Sequence, residues 1–327
     1  MRAMRLHHPN GPLQLDEVDA PTAGPGEVVV KVLACGVCRT DLHIIDGELP
    51  PHRRPIIPGH EVVGRVVALG DGVETLSIGQ RVGIPWLGHT CGQCDYCTHG
   101  HENLCDAPAF TGYDRDGGYA EFAAADAAYC IPIPASYRDA EVAPLFCAGL
   151  IGYRAYRRAG EGKAIGLIGF GAAAHIICQI AVADGRGVYA LTRPGDIASQ
   201  DFARALGCTW AGGSDELPPA LLDAAIIFAP AGPLVPLGLK MLRKGGSVVC
   251  AGIHMSDIPD FPYADLWGER EIVSIANLTR QDGRDFFARV ATRHIQTNVK
   301  AYPLAKANEA MADLRAGRFQ GAAVLIP

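Results

Sequence analysis

The sequence predicts an α/β protein of two domains. The first half is β-rich and the second is a doubly wound parallel sheet. Three observations lead there. The first half carries β-branched runs set off by Gly and Pro turns, such as residues 27–34 after Ala23-Gly24-Pro25-Gly26. A dense cysteine loop, Cys91, Cys94, Cys97 and Cys105, interrupts it. After Gly149 short apolar runs alternate with helical ones, the pattern of parallel strands joined by helices.

Composition sets the outer limits. A chain of 327 residues is long enough for two ordinary domains, and 49% hydrophobic with 20% charged residues is a globular balance. The net charge of −6 offers no basic excess for nucleic acid. No apolar run approaches membrane-spanning length. Residues 1–6 lead into His7-His8-Pro9 instead of an apolar core, so no signal peptide is expected. Eleven cysteines without a secretory signal favour metal binding and buried thiols in a reducing, cytoplasmic setting.

The four cysteines of the loop follow the spacing C-x2-C-x2-C-x7-C. Thiolates are preferred ligands of a closed tetrahedral zinc site, and such short spacings let one loop wrap the ion. The predicted role is structural, because four protein ligands leave no position for a substrate. The alternatives are a disulfide cluster, a redox C-x-x-C and an iron–sulfur cluster, the last being the closest rival.

Other candidate ligands are scattered. Cys38 sits where a strand gives way to a helix, His60 follows Pro58-Gly59, and Cys147 lies far downstream in Phe146-Cys147-Ala148. Singly, each has a bland reading: two buried thiols and a loop histidine. Together, two thiolates and an imidazole would make a three-ligand zinc site with a fourth position open for water or an alcohol oxygen. Spacing alone does not join them.

In the second half, residues 163–169 form an apolar run followed by Gly169-x-Gly171-x-x-Ala174 and a helical stretch. This is the dinucleotide-binding fingerprint in its required context, strand before and helix after. The first glycine permits the turn, the second admits the pyrophosphate, and the third position accepts Ala where helix packs on strand. Further strand-like runs lie at 187–191, 224–228, 247–251 and 271–275, with a helical run at 201–206. The second strand ends in Thr192-Arg193, with no acid at its tip. A carboxylate there would bind a ribose 2′-OH, whereas arginine suits a 2′-phosphate, so NADP is expected over NAD. The alternative is that Arg193 is a solvated charge and Asp196 bends back to the ribose.

Gly36-Val37-Cys38-Arg39-Thr40-Asp41-Leu42-His43, Gly59-His60-Glu61, the four-cysteine loop and Cys147-Ala148-Gly149 occur in an order and spacing that resembles the zinc-dependent medium-chain alcohol dehydrogenases. The resemblance covers essentially the whole chain. It implies a GroES-like catalytic domain over residues 1–148 and 277–327, with a structural zinc lobe at about 86–108. A Rossmann domain would occupy 149–276, the active site lying in the cleft between the two. Cys38, His60 and Cys147 would bind the catalytic zinc, with Glu61 behind it as a transient ligand. Asp41 would accept a hydrogen bond from His60, Thr40 would hydrogen-bond the alcohol oxygen, and His43 would relay the proton to solvent by way of the cofactor ribose. Capping is an equal reading for Thr40 and Asp41.

Arg39 would face the cofactor pyrophosphate, and Arg280 resembles an arginine near the cofactor. Trp86 and Leu49 would line an apolar substrate pocket, the alternative for Trp86 being plain core. The sequence departs from the family at Ile151, commonly threonine, and at Ala322, often preceded in the family by glycine and itself an arginine. The implied activity is reversible NAD(P)-dependent oxidation of small to medium alcohols to aldehydes or ketones, using two zinc ions per chain in a homodimer or homotetramer. A polyol- or cinnamyl-type dehydrogenase, and a non-catalytic dinucleotide-binding zinc protein, are the alternatives. In the tail, residues 285–293 and 306–316 read as helices and 321–326 as a closing strand. Cys35, Cys130, Cys178, Cys208 and Cys250 receive no role.

Overall fold

A computed structural model describes residues 1–50 and 52–327. The chain divides into two compact units: Met1–Leu150 with Asn277–Pro327, and Ile151–Ala276.

The first unit is built on a seven-stranded sheet. Its central strand, Glu27–Val37, is the β-branched run continued by three residues, and most of its side chains are buried. It pairs antiparallel with Glu61–Leu69, with Phe122–Asp126 and with Ala322–Ile326 near the C-terminus. The tail therefore completes the sheet that the N-terminal residues begin. Beside it runs Val299–Pro303, parallel to Ala322–Ile326 and not foreseen from the sequence, whose alternating pattern there is interrupted by Lys300 and Pro303. Val28, Val30, Val62, Val66 and Val82 form the core with Met4, Leu6 and Ile44.

The second unit is a six-stranded, wholly parallel sheet. In chain order its strands are Ala164–Ile168, Gly187–Thr192, Trp210–Gly213, Leu222–Ile227, Leu242–Cys250 and Glu271–Ser274. In space they run 3-2-1-4-5-6, the order of the dinucleotide-binding Rossmann sheet. Five of these strands match apolar runs in the sequence. The third, Trp210-Ala211-Gly212-Gly213, escaped notice because two glycines and no β-branched residue make a poor strand signal. It forms because Tyr189 to Thr192 present an open edge for it to pair with.

The helix expected over 285–293 starts earlier and spans Arg280–Thr292. Thr279 caps it: its hydroxyl accepts from the Asp282 amide at 3.1 Å, and the Asp282 carboxylate accepts from the Thr279 amide at 2.9 Å. Among the described residues, no helix is long and apolar enough to cross a membrane.

Candidate active site

The central strand of the first unit delivers Cys38 to the start of the helix Arg39–Ile45. Asp41, fully buried, anchors this corner. Its Oδ2 accepts from the Cys38 amide at 2.9 Å, satisfying one of the donors that a helix start leaves open. Its Oδ1 accepts from the Gly59 amide at 3.2 Å and lies 3.3 Å from His60 Nδ1. One carboxylate thus caps a helix and braces the loop that carries the histidine. Gly59 has φ +98, a conformation L side chains rarely adopt, and a Cβ there would meet the Tyr119 ring.

Glu61 opens the paired strand and turns its carboxylate onto Gly36, where a Cβ would approach its Oε2 to 1.7 Å. The glycine makes room for the acid. Cys147 follows the short turn Ala143–Phe146, whose Phe146 ring stacks on Phe287 with centroids 4.6 Å apart.

These segments bring Cys38, His60, Glu61 and Cys147 together, with ligand atoms all within 4.8 Å of one another. The two sulfurs are 3.6 Å apart. The Cys147 contact, working against burial, holds the Cys38 thiol well below its ordinary value, while Cys147 is pushed up. Burial would lower the His60 imidazole, but Asp41 and the Cys38 sulfur outweigh it and raise it well above its usual value. Burial and the Cys38 charge raise Glu61. Neither ring nitrogen of His60 nor Oε2 of Glu61 has a hydrogen-bond partner. Buried polar atoms without partners are costly. Two thiols, an imidazole and a carboxylate converging in this way form the donor set of a zinc site, and a divalent cation fits it.

Cys91, Cys94, Cys97 and Cys105 form a second group with sulfurs within 4.8 Å of one another. Here the backbone supplies the order. The Cys91 and Ala107 amides donate to the Cys105 sulfur at 3.3 and 3.4 Å, and Cys94 starts the short helix Asp95–Thr98. The Gln93 and Cys94 amides bring the Cys91 thiol down to about 6. Four thiols and no other donor fit a closed zinc site.

Around the first cluster, Thr40 is buried with its hydroxyl 3.8 Å from the Cys38 sulfur, and His43 lies three residues on along the same helix. His43 Nδ1 pairs with Glu48, a partner the sequence reading did not identify. The Trp86 ring stands edge-on to His60, centroids 5.1 Å apart. It also stacks with Phe110 at 4.9 Å and Tyr113 at 5.9 Å, so the wall has three aromatic residues where one was expected. The recurrence of aromatics at 110 and 113 was the available signal. Leu49 packs half-buried on the same core, and Arg39 is exposed.

In the second unit Gly169 has φ +89, and a Cβ on it would come 2.9 Å from Ala229. Gly171 is the N-cap of the helix Ala172–Ala183, with open space where a Cβ would be and no side-chain cap. Ala174 is buried against the sheet. The uncapped amides of this first turn fit a phosphate group. Arg193 is exposed at the end of its strand. Thr192 points inward instead: it is buried, and its hydroxyl bonds the Arg193 and Gly212 carbonyls at 3.0 and 3.4 Å. Asp196 caps the helix Ile197–Ala205 through the Ser199 amide at 3.1 Å.

Arg280, expected near the cofactor, grips Glu102, with Nε 3.0 and Nη2 2.5 Å from Oε2 and its own amide 2.6 Å from Oε1. Its guanidinium also lies 4.9 Å over the Tyr129 ring. Glu102 stands three residues before Cys105, so this arginine ties the four-cysteine lobe to the helix Arg280–Thr292.

A buried mixed-donor cluster in the first unit and a Rossmann sheet in the second are the parts of a dinucleotide-dependent oxidoreductase. Residues 24–135 match the alcohol dehydrogenase GroES-like domain. Over 100% of this chain and 97% of its own length, a probable alcohol dehydrogenase of Mycobacterium tuberculosis is 46% identical. The structure of a cinnamyl alcohol dehydrogenase from Sorghum bicolor superposes with a TM-score of 0.91 at 26% identity, covering 99% of this chain and 97% of that one. An acetophenone reductase from Geotrichum candidum, solved with NAD, gives 0.88 at 28% identity over 100% and 97%. The chain belongs to the zinc-type, medium-chain alcohol dehydrogenase family. It is accordingly an NAD(P)-dependent oxidoreductase.

Proposed function

We propose that the protein interconverts small to medium alcohols with their aldehydes or ketones, using NADP in preference to NAD and two zinc ions per chain. The observation that carries this reading is the Cys38–His60–Glu61–Cys147 cluster lying at the foot of a helix that also bears Thr40 and His43. The Met1–Leu150 and Asn277–Pro327 unit would be catalytic and the Ile151–Ala276 unit would hold the dinucleotide.

Zinc held by Cys38, His60 and Cys147 would supply a Lewis acid to the substrate oxygen, and NADP the hydride carrier. Asp41, 3.3 Å from His60 Nδ1, would brace that edge of the ring and so position His60 as a zinc ligand. Thr40, through its hydroxyl, orients the alcohol oxygen and takes its hydrogen bond. His43 carries the proton outward. Burial falls along this line, from Thr40 at 8% exposed to a His43 side chain at 16% and Glu48 at 50%. Glu48 accepts from His43 Nδ1 and so fixes the orientation of the ring. Glu61 would be a reserve donor to zinc, and Arg39 would offer its charge to the cofactor phosphates. The Trp86–Phe110–Tyr113 wall and Leu49 make the pocket apolar, which favours aryl as well as alkyl substrates and keeps a cinnamyl-type specificity as the second reading.

The cofactor preference rests on Arg193, the exposed cation at the strand tip, and on Asp196, whose carboxylate is committed to capping. Self-association is supported by Glu271–Ser274, an edge strand paired on one side, close in sequence to the exposed Tyr263 and Trp267.

The deciding experiment measures initial rates for a panel of alkyl and aryl aldehydes with NADPH and NADH on zinc-loaded protein. A higher kcat/KM with NADPH, reduced by Arg193→Ala, supports the assignment. A preference for NADH overturns the role of Arg193 and leaves the metal mechanism intact. No turnover on any aldehyde overturns the catalytic reading.

A further inference from the structure

Two of the cysteines outside both metal clusters meet in the second unit. Cys178 is fully buried in the middle of the helix Ala172–Ala183, and Cys208 lies in the turn between the helix Ile197–Ala205 and the strand Trp210–Gly213. Their sulfurs are 3.2 Å apart, closer than the 3.6 Å between Cys38 and Cys147. Unlike that pair they belong to no group of three or more metal-ligating side chains among the described residues. A two-sulfur contact without further donors does not suit a metal, but it does suit a covalent bond. Closing to bonding distance requires a shift of about 1.1 Å. Cys208 is half-buried between exposed Gly207 and Thr209, so it is the more accessible residue of the pair. Two other cysteines outside the clusters, Cys35 and Cys130, bond backbone carbonyls.

We propose that Cys178 and Cys208 form a redox-active dithiol that a hydroperoxide converts to a disulfide within this unit. The Cys208 sulfur attacks the peroxide, the O–O bond breaks, and Cys208 becomes a sulfenic acid with release of water or the corresponding alcohol. The Cys178 sulfur then attacks Cys208, the S–O bond breaks, an S–S bond forms and water leaves. The peroxide takes two electrons, and each thiol loses one proton. A hydrogen bond to Cys178 and partial burial push the Cys208 thiol up, which matches a slowly formed cross-link better than a fast sensor. The bond would pin the helix that opens the Gly-rich turn to the far corner of the sheet. This inference is independent of the catalytic reading.

Trypsin makes the test direct. Cleavage after Lys163 and Arg186, and after Arg204 and Lys240, leaves residues 164–186 with Cys178 as their one cysteine and residues 205–240 with Cys208 as theirs. Zinc-loaded holoprotein is treated with graded hydrogen peroxide, unfolded in N-ethylmaleimide, digested without reductant and mapped by mass spectrometry. The expected result is a linked 164–186/205–240 species that becomes the dominant form of both peptides before the metal-cluster cysteines are lost. It vanishes on reduction and is absent in Cys208→Ser. Recovery of both peptides fully alkylated, or linkage appearing only after the cluster cysteines are consumed, overturns the proposal. The wild-type map decides the matter even if the variant folds poorly. The oxidised protein should also melt roughly 5 °C higher than the reduced one.

Discussion

The two donor clusters of the first unit are built on opposite plans. The four-cysteine lobe draws its ligands from fifteen consecutive residues and holds them by local amides and turns. The Cys38 cluster draws on three segments spread over more than a hundred residues and depends on a buried carboxylate, Asp41, to align two of them. The lobe contains only sulfur donors, whereas the other cluster mixes sulfur, nitrogen and oxygen and abuts an aromatic wall. A local, homogeneous cluster suits shape; a nonlocal, mixed one suits chemistry.

The strongest way to break this contrast is to delete one ligand from each. Cys38→Ala should lower kcat by at least about 10³-fold and remove one zinc equivalent, with little change in melting temperature. Cys94→Ala should remove the other zinc and lower the melting temperature by roughly 5–10 °C, with the remaining folded fraction still active. Metal analysis and thermal scans on both variants check this. Loss of all activity in Cys94→Ala at temperatures where the protein stays folded would merge the two roles.

Proton affinity sharpens the comparison further. In metal-stripped protein Cys91 is held near 6 by the Gln93 and Cys94 amides, while burial pushes its neighbour Cys105 up to about 12. At pH 7.5 Cys91 should therefore alkylate at least about tenfold faster than Cys105, and its rate should fall below pH 6 as the thiolate is lost. Timed labelling with peptide mapping reads both rates, and equal rates would contradict the amide-stabilised thiolate.

The Arg280–Glu102 pair tests whether the lobe is braced from outside. Arg280→Ala should cost about 1–2 kcal/mol, given the partial exposure of the arginine, and leave the cofactor KM within about twofold. A tenfold rise in that KM would return Arg280 to the cofactor. Burial would raise Glu102, but the bonds from Arg280 prevail and hold it below its ordinary value. Its stabilisation is then full above the unfolded carboxylate value of about 4.3 and is lost as pH falls through the lower folded value. Acid melting curves of Glu102→Gln against the parent should converge only in that acid range. The smallest effect belongs to Glu48→Gln, which keeps an acceptor for His43 and should lower kcat by about twofold to fivefold with KM unchanged.

Much of the fold was legible because its signals are local. The Gly169-x-Gly171-x-x-Ala174 turn, the apolar strands around it and the spacing of Cys91, Cys94, Cys97 and Cys105 each fit within one short window, where periodicity and turn chemistry act. The strand Trp210–Gly213 was not legible, since it pairs with the edge of Gly187–Thr192, distant in sequence. The helix start at Thr279 was legible in principle, as a capping box with Asp282, and was overlooked.

By its own pattern, then, the chain determined two folds, one closed thiol loop and a phosphate-binding turn. Tertiary structure alone decided which distant groups face one another. It set Asp41 against both Cys38 and His60, Glu48 against His43, Glu102 against Arg280 across 178 residues of sequence, and Cys178 against Cys208. The physical reason is range. Propensity and periodicity report forces between neighbours in the chain, whereas the charge, desolvation and bond-forming distance that assign a side chain its task depend on neighbours in space.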